Sequence, residues 1–325
     1  MESKGITCGR IVLASRDHFF VWTEQGEVEA TLGGRLRHVK SCLPCVGDWI
    51  VLREGNVIVD VLPRRTRISR KEPGRSVREQ ILAANLDVLF IVSGLDQDYN
   101  PRRLERYLVL AKESGTRPVI LLNKADLQED SEVFVRRTKE QARGVPVLAV
   151  SALEKRGLGE ICRQVGTGET AALVGSSGVG KSSIVNALLN EDRQPIAEVR
   201  EWDGRGRHRT TQRELFLIPG NWFLIDMPGL RELEPWAAPE QVDDAFADIA
   251  ELAAGCRFRD CTHRAEPGCA VRNAAGLDQS RLAGYRKLKR ELAFLERQSD
   301  IRLTRESRKR WKALEKEARR HPKRT

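Results

Sequence analysis

Apolar positions between residues 11 and 62 fall in short alternating runs, and these predict strands at Ile11–Ala14, Phe19–Trp22, Glu27–Leu32, Asp48–Leu52 and Val57–Leu62. Gly, Asp and Asn turns separate them, and Glu54-Gly55-Asn56 between two such runs is a hairpin signal. Five short strands in about 60 residues suit a small barrel such as an OB-fold. Arg64 through Arg75 is polar and basic, and reads as a linker. From residue 80 the pattern changes. Strands are predicted at Val88–Val92, Val119–Leu122 and Val147–Val150, and another ends at Leu173–Val174. Helices are predicted at Arg102–Glu113, Leu158–Gln164 and Ser182–Leu189. Leu215–Ile218 and Trp222–Ile225 flank a Pro-Gly-Asn turn and pair as a hairpin. This alternation predicts a mostly parallel sheet with helices on both faces. Beyond about 236, Val242, Phe246, Ile249 and Ala253, then Leu282, Tyr285, Leu288, Leu292 and Leu295, keep helical spacing. The expected organisation is multidomain: an all-β barrel over 1–66, a linker over 67–80, an α/β domain over 81–235 and a helical domain over 236–325.

Composition narrows the class. The 325 residues carry a formal charge of +10, with 40% apolar and 31% charged positions. No apolar run approaches the ~18 residues of a membrane span. Met1-Glu2-Ser3-Lys4-Gly5 lacks the apolar stretch of a secretory signal. Seven thinly spread cysteines read as reduced thiols or metal ligands rather than bridges. Residues 281–325 hold 17 Lys and Arg against 6 Asp and Glu, so the C-terminal segment carries the whole positive excess. That asymmetry points to a polyanion partner, most often nucleic acid.

The chemistry sits in loops after predicted strands. Gly175-Ser176-Ser177-Gly178-Val179-Gly180-Lys181-Ser182 matches G-x-x-x-x-G-K-[ST] between the strand Ala171–Val174 and the helix Ser183–Leu189. Its glycines let backbone N–H groups wrap a phosphate, and the helix N-terminus adds partial positive charge. Lys181 would reach the β- and γ-phosphates, and the Ser182 hydroxyl would ligate Mg²⁺. Asn123-Lys124-Ala125-Asp126 follows the strand Val119–Leu122. Asp126 can accept two N–H bonds from a guanine edge that adenine does not offer, Asn123 would steady the loop and contact the base, and Lys124 would lie along the ring. Ser151-Ala152 fits a loop whose backbone N–H contacts the guanine carbonyl oxygen. Asp226-Met227-Pro228-Gly229 is D-x-x-G: Asp226 would hold Mg²⁺ through water, and the Gly229 N–H would sense the γ-phosphate.

In ordinary GTPases the phosphate loop comes first. Here the base-binding half precedes it, as if a closed sheet had been cut elsewhere and rejoined through Glu154–Thr170. The D-x-x-G switch then leads straight into the C-terminal region, where loss of the γ-phosphate could be transmitted. Gly204 through Thr211 supplies a switch threonine, with Thr210 or Thr211 closing over Mg²⁺. Leu230 stands where many GTPases place a water-orienting Gln, so His208 becomes the candidate for that task. Cys256, Cys261, His263 and Cys269 put three thiols and an imidazole within 14 residues, the donor set of a closed structural zinc site. Cys42 and Cys45 are expected to be structural.

Together these motifs resemble the circularly permuted RsgA/YjeQ (EngC) family of ribosome small-subunit-dependent GTPases, over nearly the whole chain. Val46-Gly47-Asp48-Trp49, Leu62-Pro63-Arg64-Arg65-Thr66, Glu79 through Asn85, Asn123–Asp126, Gly175–Ser183, Asp226–Gly229 and Cys256 through His263 carry the resemblance. It implies an N-terminal OB-fold, a permuted P-loop GTPase domain and a zinc-binding helical domain. It also implies a cytoplasmic bacterial factor of late small-subunit assembly, whose GTP hydrolysis the subunit stimulates. Its partners would be that subunit with its rRNA, and GTP or GDP, with no membrane, and it would act as a monomer. The family usually has a run of threonines after the switch His. Here Arg209 takes the first place, which leaves open whether Thr210 or Thr211 ligates Mg²⁺. The alternative is an rRNA-binding assembly module in which GTP only fixes the shape. A free-standing metabolic NTPase fits less well, because no second substrate pocket is legible.

Overall fold

A computed structural model of the chain describes residues 6–15, 18–38, 43–71, 79–142, 144–190, 213–227, 242–243, 245–294 and 297. Chain contacts divide it into two compact units, Met1–Ser69 with Ile81–Leu233, and Arg70–Gln80 with Glu234–Thr325.

In the first unit, β1 (Ile6–Ala14), β2 (Phe19–Thr23), β3 (Gly26–Leu32), β4 (Trp49–Arg53) and β5 (Val57–Val61) follow the order β1-β2-β3-β5-β4, and β4 pairs back onto β1. This is a closed five-stranded barrel. Closure removes the sheet edges that five short strands would otherwise leave unpaired. Ile11, Val21, Ile50 and Ile58 fill its interior, and the short helix α1 (Gly34–His38) brings Leu36 onto the same core. β1 starts five residues before the expected strand. Its extra residues, Ile6–Arg10, are held by pairing with β4 rather than by their own alternation.

The barrel merges with a second sheet through β1, where Leu13 pairs with Glu214. β6 (Arg67–Lys71) and β7 (Glu79–Ala84) form a separate two-stranded sheet, with β6 and the start of β7 inside the segment read as a linker. The charges of Arg67, Arg70 and Lys71 hid this strand, although Ile68 and Ser69 are buried. The main sheet continues with β8 (Val88–Gly94), β9 (Arg117–Asn123), β10 (Val147–Ala149), β11 (Thr170–Gly175), β12 (Glu214–Ile218) and β13 (Trp222–Asp226), in the order β10-β9-β8-β11-β13-β12. All neighbours are parallel except the hairpin β12–β13.

The period of two along these strands separates two cores. Leu89, Ile91, Ile120, Leu122, Ala172 and Val174 pack on one face with α2 (Pro101–Ser114) and α3 (Ser131–Gln141), the latter not evident from spacing. Val88, Phe90, Val119, Leu121, Ala171 and Leu173 pack on the other with α4 (Leu158–Cys162) and α5 (Lys181–Leu189). The α4 segment is the joint that the reversed motif order requires, and Ile161 anchors it in the core.

Three of the stretches that carry the family resemblance meet where barrel and sheet join. Val46 bridges Ala83, and a Cβ at Gly47 would lie 2.2 Å from the Ala84 carbonyl oxygen, so only glycine fits. Asn85 donates to the Gly47 carbonyl at 3.0 Å and accepts from the Arg65 N–H at 3.0 Å. Asp48, fully buried, is gripped by both forks of Arg64 at 2.7 Å. Arg10 reaches from the barrel to the Thr170 hydroxyl at 2.7 Å and stacks over Phe223, and burial pulls its pKa down to about 10. No motif announced Arg10.

The second unit is helical around a cysteine-rich loop. It contains α6 (Ala247–Ala253), α7 (Ala270–Asn273) and α8, a helix over 279–294. Val242, Phe246, Ile249, Leu282, Tyr285, Leu288 and Leu292 form its buried face. Ion pairs tie α8 down: Arg281 to Asp248 at 2.9 Å and Lys289 to Asp243 at 2.7 Å, while the Tyr285 hydroxyl donates to Asp243 at 2.8 Å. α8 is the helix expected from the spacing of Leu282, Tyr285, Leu288 and Leu292, while Leu295 and most of the basic tail lie outside the described residues.

Candidate nucleotide and metal sites

Parallel strands deliver their following loops to one edge of a sheet. In such sheets ligands collect where the strand order reverses. Here β8, β9 and β10 spread to one side of β11, and β13 to the other. The carboxyl ends of these five strands carry Asp96 and Asp98, Asn123–Asp126, Ser151, Gly175–Ser182 and Asp226, respectively.

The two motifs expected to share a ligand are in contact. The Asn123 side chain is buried and donates from Nδ2 to the Val179 carbonyl at 2.8 Å. Its Oδ1 accepts the Ala152 N–H at 3.1 Å. One amide thus ties the N-K-x-D loop, the phosphate loop and the Ser151-Ala152 loop together. Gly180 has φ +94°, and a Cβ there would fall 2.3 Å from Asn123 Nδ2. Gly175 is equally constrained, its Cβ position lying 2.3 Å from the Val92 carbonyl. A cleft of about 630 Å³ runs past Asn123, Lys124, Asp126, Ala152, Gly180 and Ser183.

Local bonds set the charged groups. Lys124, in the left-handed region at φ 63°, donates to Asp96 at 2.6 Å, and that bond chiefly holds the Asp96 carboxyl below its ordinary value. The Ser151 hydroxyl donates to Asp126 at 2.5 Å. Lys181 donates to the Gly175 and Ser176 carbonyls at 2.8 and 2.6 Å. Burial lowers the Lys181 pKa against the opposing pull of Asp226 and Asp98, and burial raises that of Asp226 against Lys181. The Ser182 hydroxyl and the Asp226 carboxylate are hard oxygen donors beside an ammonium, a set that fits a magnesium–phosphate ion pair. His208, Thr210, Thr211 and Gly229 lie outside the described residues. Motif reading missed Asp96, Asp98 and Arg103, which border the phosphate loop. Their only signal was position, just past the end of β8 and in the first turn of α2.

The cysteine loop gathers its four expected ligands. The donor atoms of Cys256, Cys261, His263 and Cys269 all lie within 4.8 Å of one another. His263 Nδ1 is 3.6 Å from the sulfurs of Cys256 and Cys269, which are 4.0 Å apart. Bonds of about 2.3 Å to sulfur and 2.0 Å to nitrogen in a tetrahedron give edges of roughly 3.5 to 3.8 Å, so a slight contraction of the cage would seat a four-coordinate ion. Burial, with Arg286 adding to it, lowers the His263 pKa and favours the neutral imidazole that binds metal. Glu266 braces the knuckle by accepting the N–H groups of Thr262, Arg264 and Ala265. Cys45 is different: its thiol is buried and its pKa pushed up by that burial, as expected of a structural residue, while Cys42 lies outside the described residues.

A barrel fused to a permuted P-loop sheet, followed by a Cys₃His helical unit, defines a circularly permuted GTPase. A family model described as RsgA GTPase matches residues 61–236. The small ribosomal subunit biogenesis GTPase RsgA of Opitutus terrae is 42% identical, over 96% of this chain and 90% of its own. That of Methanosarcina acetivorans is 43% identical, over 88% and 80%. The crystal structure of YjeQ from Thermotoga maritima superposes with a TM-score of 0.65 at 25% identity, over 89% of this chain and 99% of that one. That of YloQ, a circularly permuted GTPase, gives 0.62 at 25%, over 90% and 96%. The chain belongs to the RsgA GTPase family.

Proposed function

We propose that the chain is a GTPase of late small-ribosomal-subunit assembly, which binds the small subunit and hydrolyses GTP when the subunit stimulates it. The observation that carries this reading is the Asn123 amide, which joins the base loop to the phosphate loop across one cleft. Guanine would rest against Asp126 and Lys124, with the Ser151-Ala152 loop beside it. The triphosphate would lie along Gly175–Ser183, with Lys181 moving from the loop carbonyls to the β- and γ-oxygens. Ser182, Asp226 and one of Thr210 and Thr211 would hold Mg²⁺, which would neutralise charge on the phosphates. His208 would orient the attacking water, and the Gly229 N–H would report the γ-phosphate. The relatives' names, and a chain charge of +10, favour the small subunit and its rRNA as the partner. The Cys₃His cage would hold one structural zinc ion, supplying stability that so short a loop lacks. We place the protein in the cytoplasm, acting as a monomer.

Catalysis supplied in trans is worth ~10³ to 10⁵ in rate for this chemistry. GTP turnover with and without purified small subunits, with ATP as control, tests the reading. Strong stimulation confined to GTP supports it, and equal turnover in both conditions rejects it. His208→Ala separates it from a module that uses GTP only to fix its shape. Subunit-stimulated turnover collapses with binding retained under the first reading, and stimulated turnover is absent from the start under the second.

A further inference from the structure

We propose that Arg103 is a positioning residue of the phosphate site: it masks the Asp98 carboxylate from bound phosphate and tethers the phosphate loop through Ser176. The inference rests on the cleft being a guanine-nucleotide site, and it concerns side chains outside the signature motifs.

Asp96, Gln97, Asp98, Ser177 and Gly178 line one depression of about 580 Å³ beside the phosphate loop. Two carboxylates there would repel a polyphosphate. Each has a cationic partner. Asp96 takes Lys124 at 2.6 Å, and Asp98 takes Arg103 at 2.5 Å. Asp98 lines this depression together with Ser177 and Gly178, and its charge acts on the Lys181 ammonium as well. The same Arg103 nitrogen that meets Asp98 also donates to the Ser176 hydroxyl. Ser176 is therefore held twice, by its side chain from Arg103 and by its carbonyl from Lys181 at 2.6 Å. The sequence fixes the placement locally. Asn100 caps α2 by accepting the Arg103 N–H, and Pro101 starts the helix, which sets Arg103 on the first turn. Removing the guanidinium would leave Asp98 unpaired beside the phosphates and free Ser176 on one side. The penalty should grow with the charge of the ligand, so GTP should suffer more than GDP.

The test is titration of the full chain with fluorescent GDP and a non-hydrolysable GTP analogue. Arg103→Ala is expected to weaken the GTP analogue about tenfold and GDP by less, the scale of a partly screened like-charge repulsion. Adding Asp98→Asn should return affinity to within about threefold of wild type, since the repulsion is then gone. A helix-end ion pair with a structural role alone would show no such rescue, and a double variant as weak as Arg103→Ala overturns the proposal. Should Arg103→Ala not fold, Asp98→Asn alone decides. Affinity equal to or tighter than wild type supports the proposal, and a tenfold loss refutes it. A wild-type chain that binds neither nucleotide defeats the underlying reading of the cleft. A wild-type chain that binds both, with no rescue, defeats only the role of Arg103.

Discussion

Replacing Asn123 by Ala cuts the bond network that joins the two nucleotide motifs. The side chain is 2% exposed and makes two hydrogen bonds, to the Val179 carbonyl at 2.8 Å and from the Ala152 N–H at 3.1 Å. Leaving a buried polar group without its partner costs about 1–3 kcal/mol, so the pair is worth roughly 2–6 kcal/mol. Part of this appears as lost stability and part as lost preorganisation of the cleft. The expected result is a 10- to 100-fold rise in the GDP Kd, about 1.4–2.7 kcal/mol, with a lower urea midpoint. Asn123→Asp keeps the acceptor for Ala152 but sets a carboxylate oxygen against the Val179 carbonyl, so it should bind no better than Asn123→Ala. A second substitution separates geometry from general damage. A methyl at Gly180 would lie 2.3 Å from Asn123 Nδ2, and Gly180 also sits at φ +94°. Truncating Asn123 removes the overlap but not the backbone strain of about 1–2 kcal/mol. Gly180→Ala should therefore cost less in the Asn123→Ala background than alone. Fluorescent GDP titration and urea denaturation of the four variants measure this. An Asn123→Ala chain that binds GDP within threefold of wild type at an unchanged midpoint would refute the reasoning.

Arg64→Ala should destabilise the first unit by about 3–5 kcal/mol, because it strands the fully buried Asp48 carboxylate, and Asp48→Asn in that background should recover part of the loss in urea melts. Metal analysis of purified protein should find one zinc per chain, and Cys269→Ser or chelation should remove it with loss of helical signal; unchanged structure in a metal-free reduced chain would contradict this. The Asp96 carboxyl is held below its ordinary value, chiefly by Lys124, so its contribution is complete above about pH 4 and is lost as pH falls through the lower folded value. Urea midpoints between pH 3 and 7 should therefore converge for wild type and Asp96→Asn only at the acid end.

Much of the site was legible because its chemistry constrains short stretches. Gly175, Gly178, Gly180 and Lys181 follow one another in a loop of the pattern that wraps phosphate, and four candidate metal donors fall within 14 residues. The long-range contacts that hold these pieces in place were not legible. Arg10 meets Thr170 across 160 residues, and Asn123 meets Val179 across 56. Such pairs depend on tertiary approach and leave no local spacing. The strand Arg67–Lys71 was hidden for a related reason: its charges dominate, and only packing reveals that Ile68 is buried. Helix α3 was missed because Val135 and Thr138 are its only buried residues, too few to set a period.

The central claim is that one guanine nucleotide spans residues 123–126 and 175–183. Asp126→Asn tests it most directly, because an amide at this position offers a donor where guanine needs an acceptor, and complements xanthine instead. Competition titration should find GTP weakened by ~10² or more and XTP bound more tightly than GTP. A variant that still binds GTP with wild-type affinity and ignores XTP would mean that the base lies elsewhere.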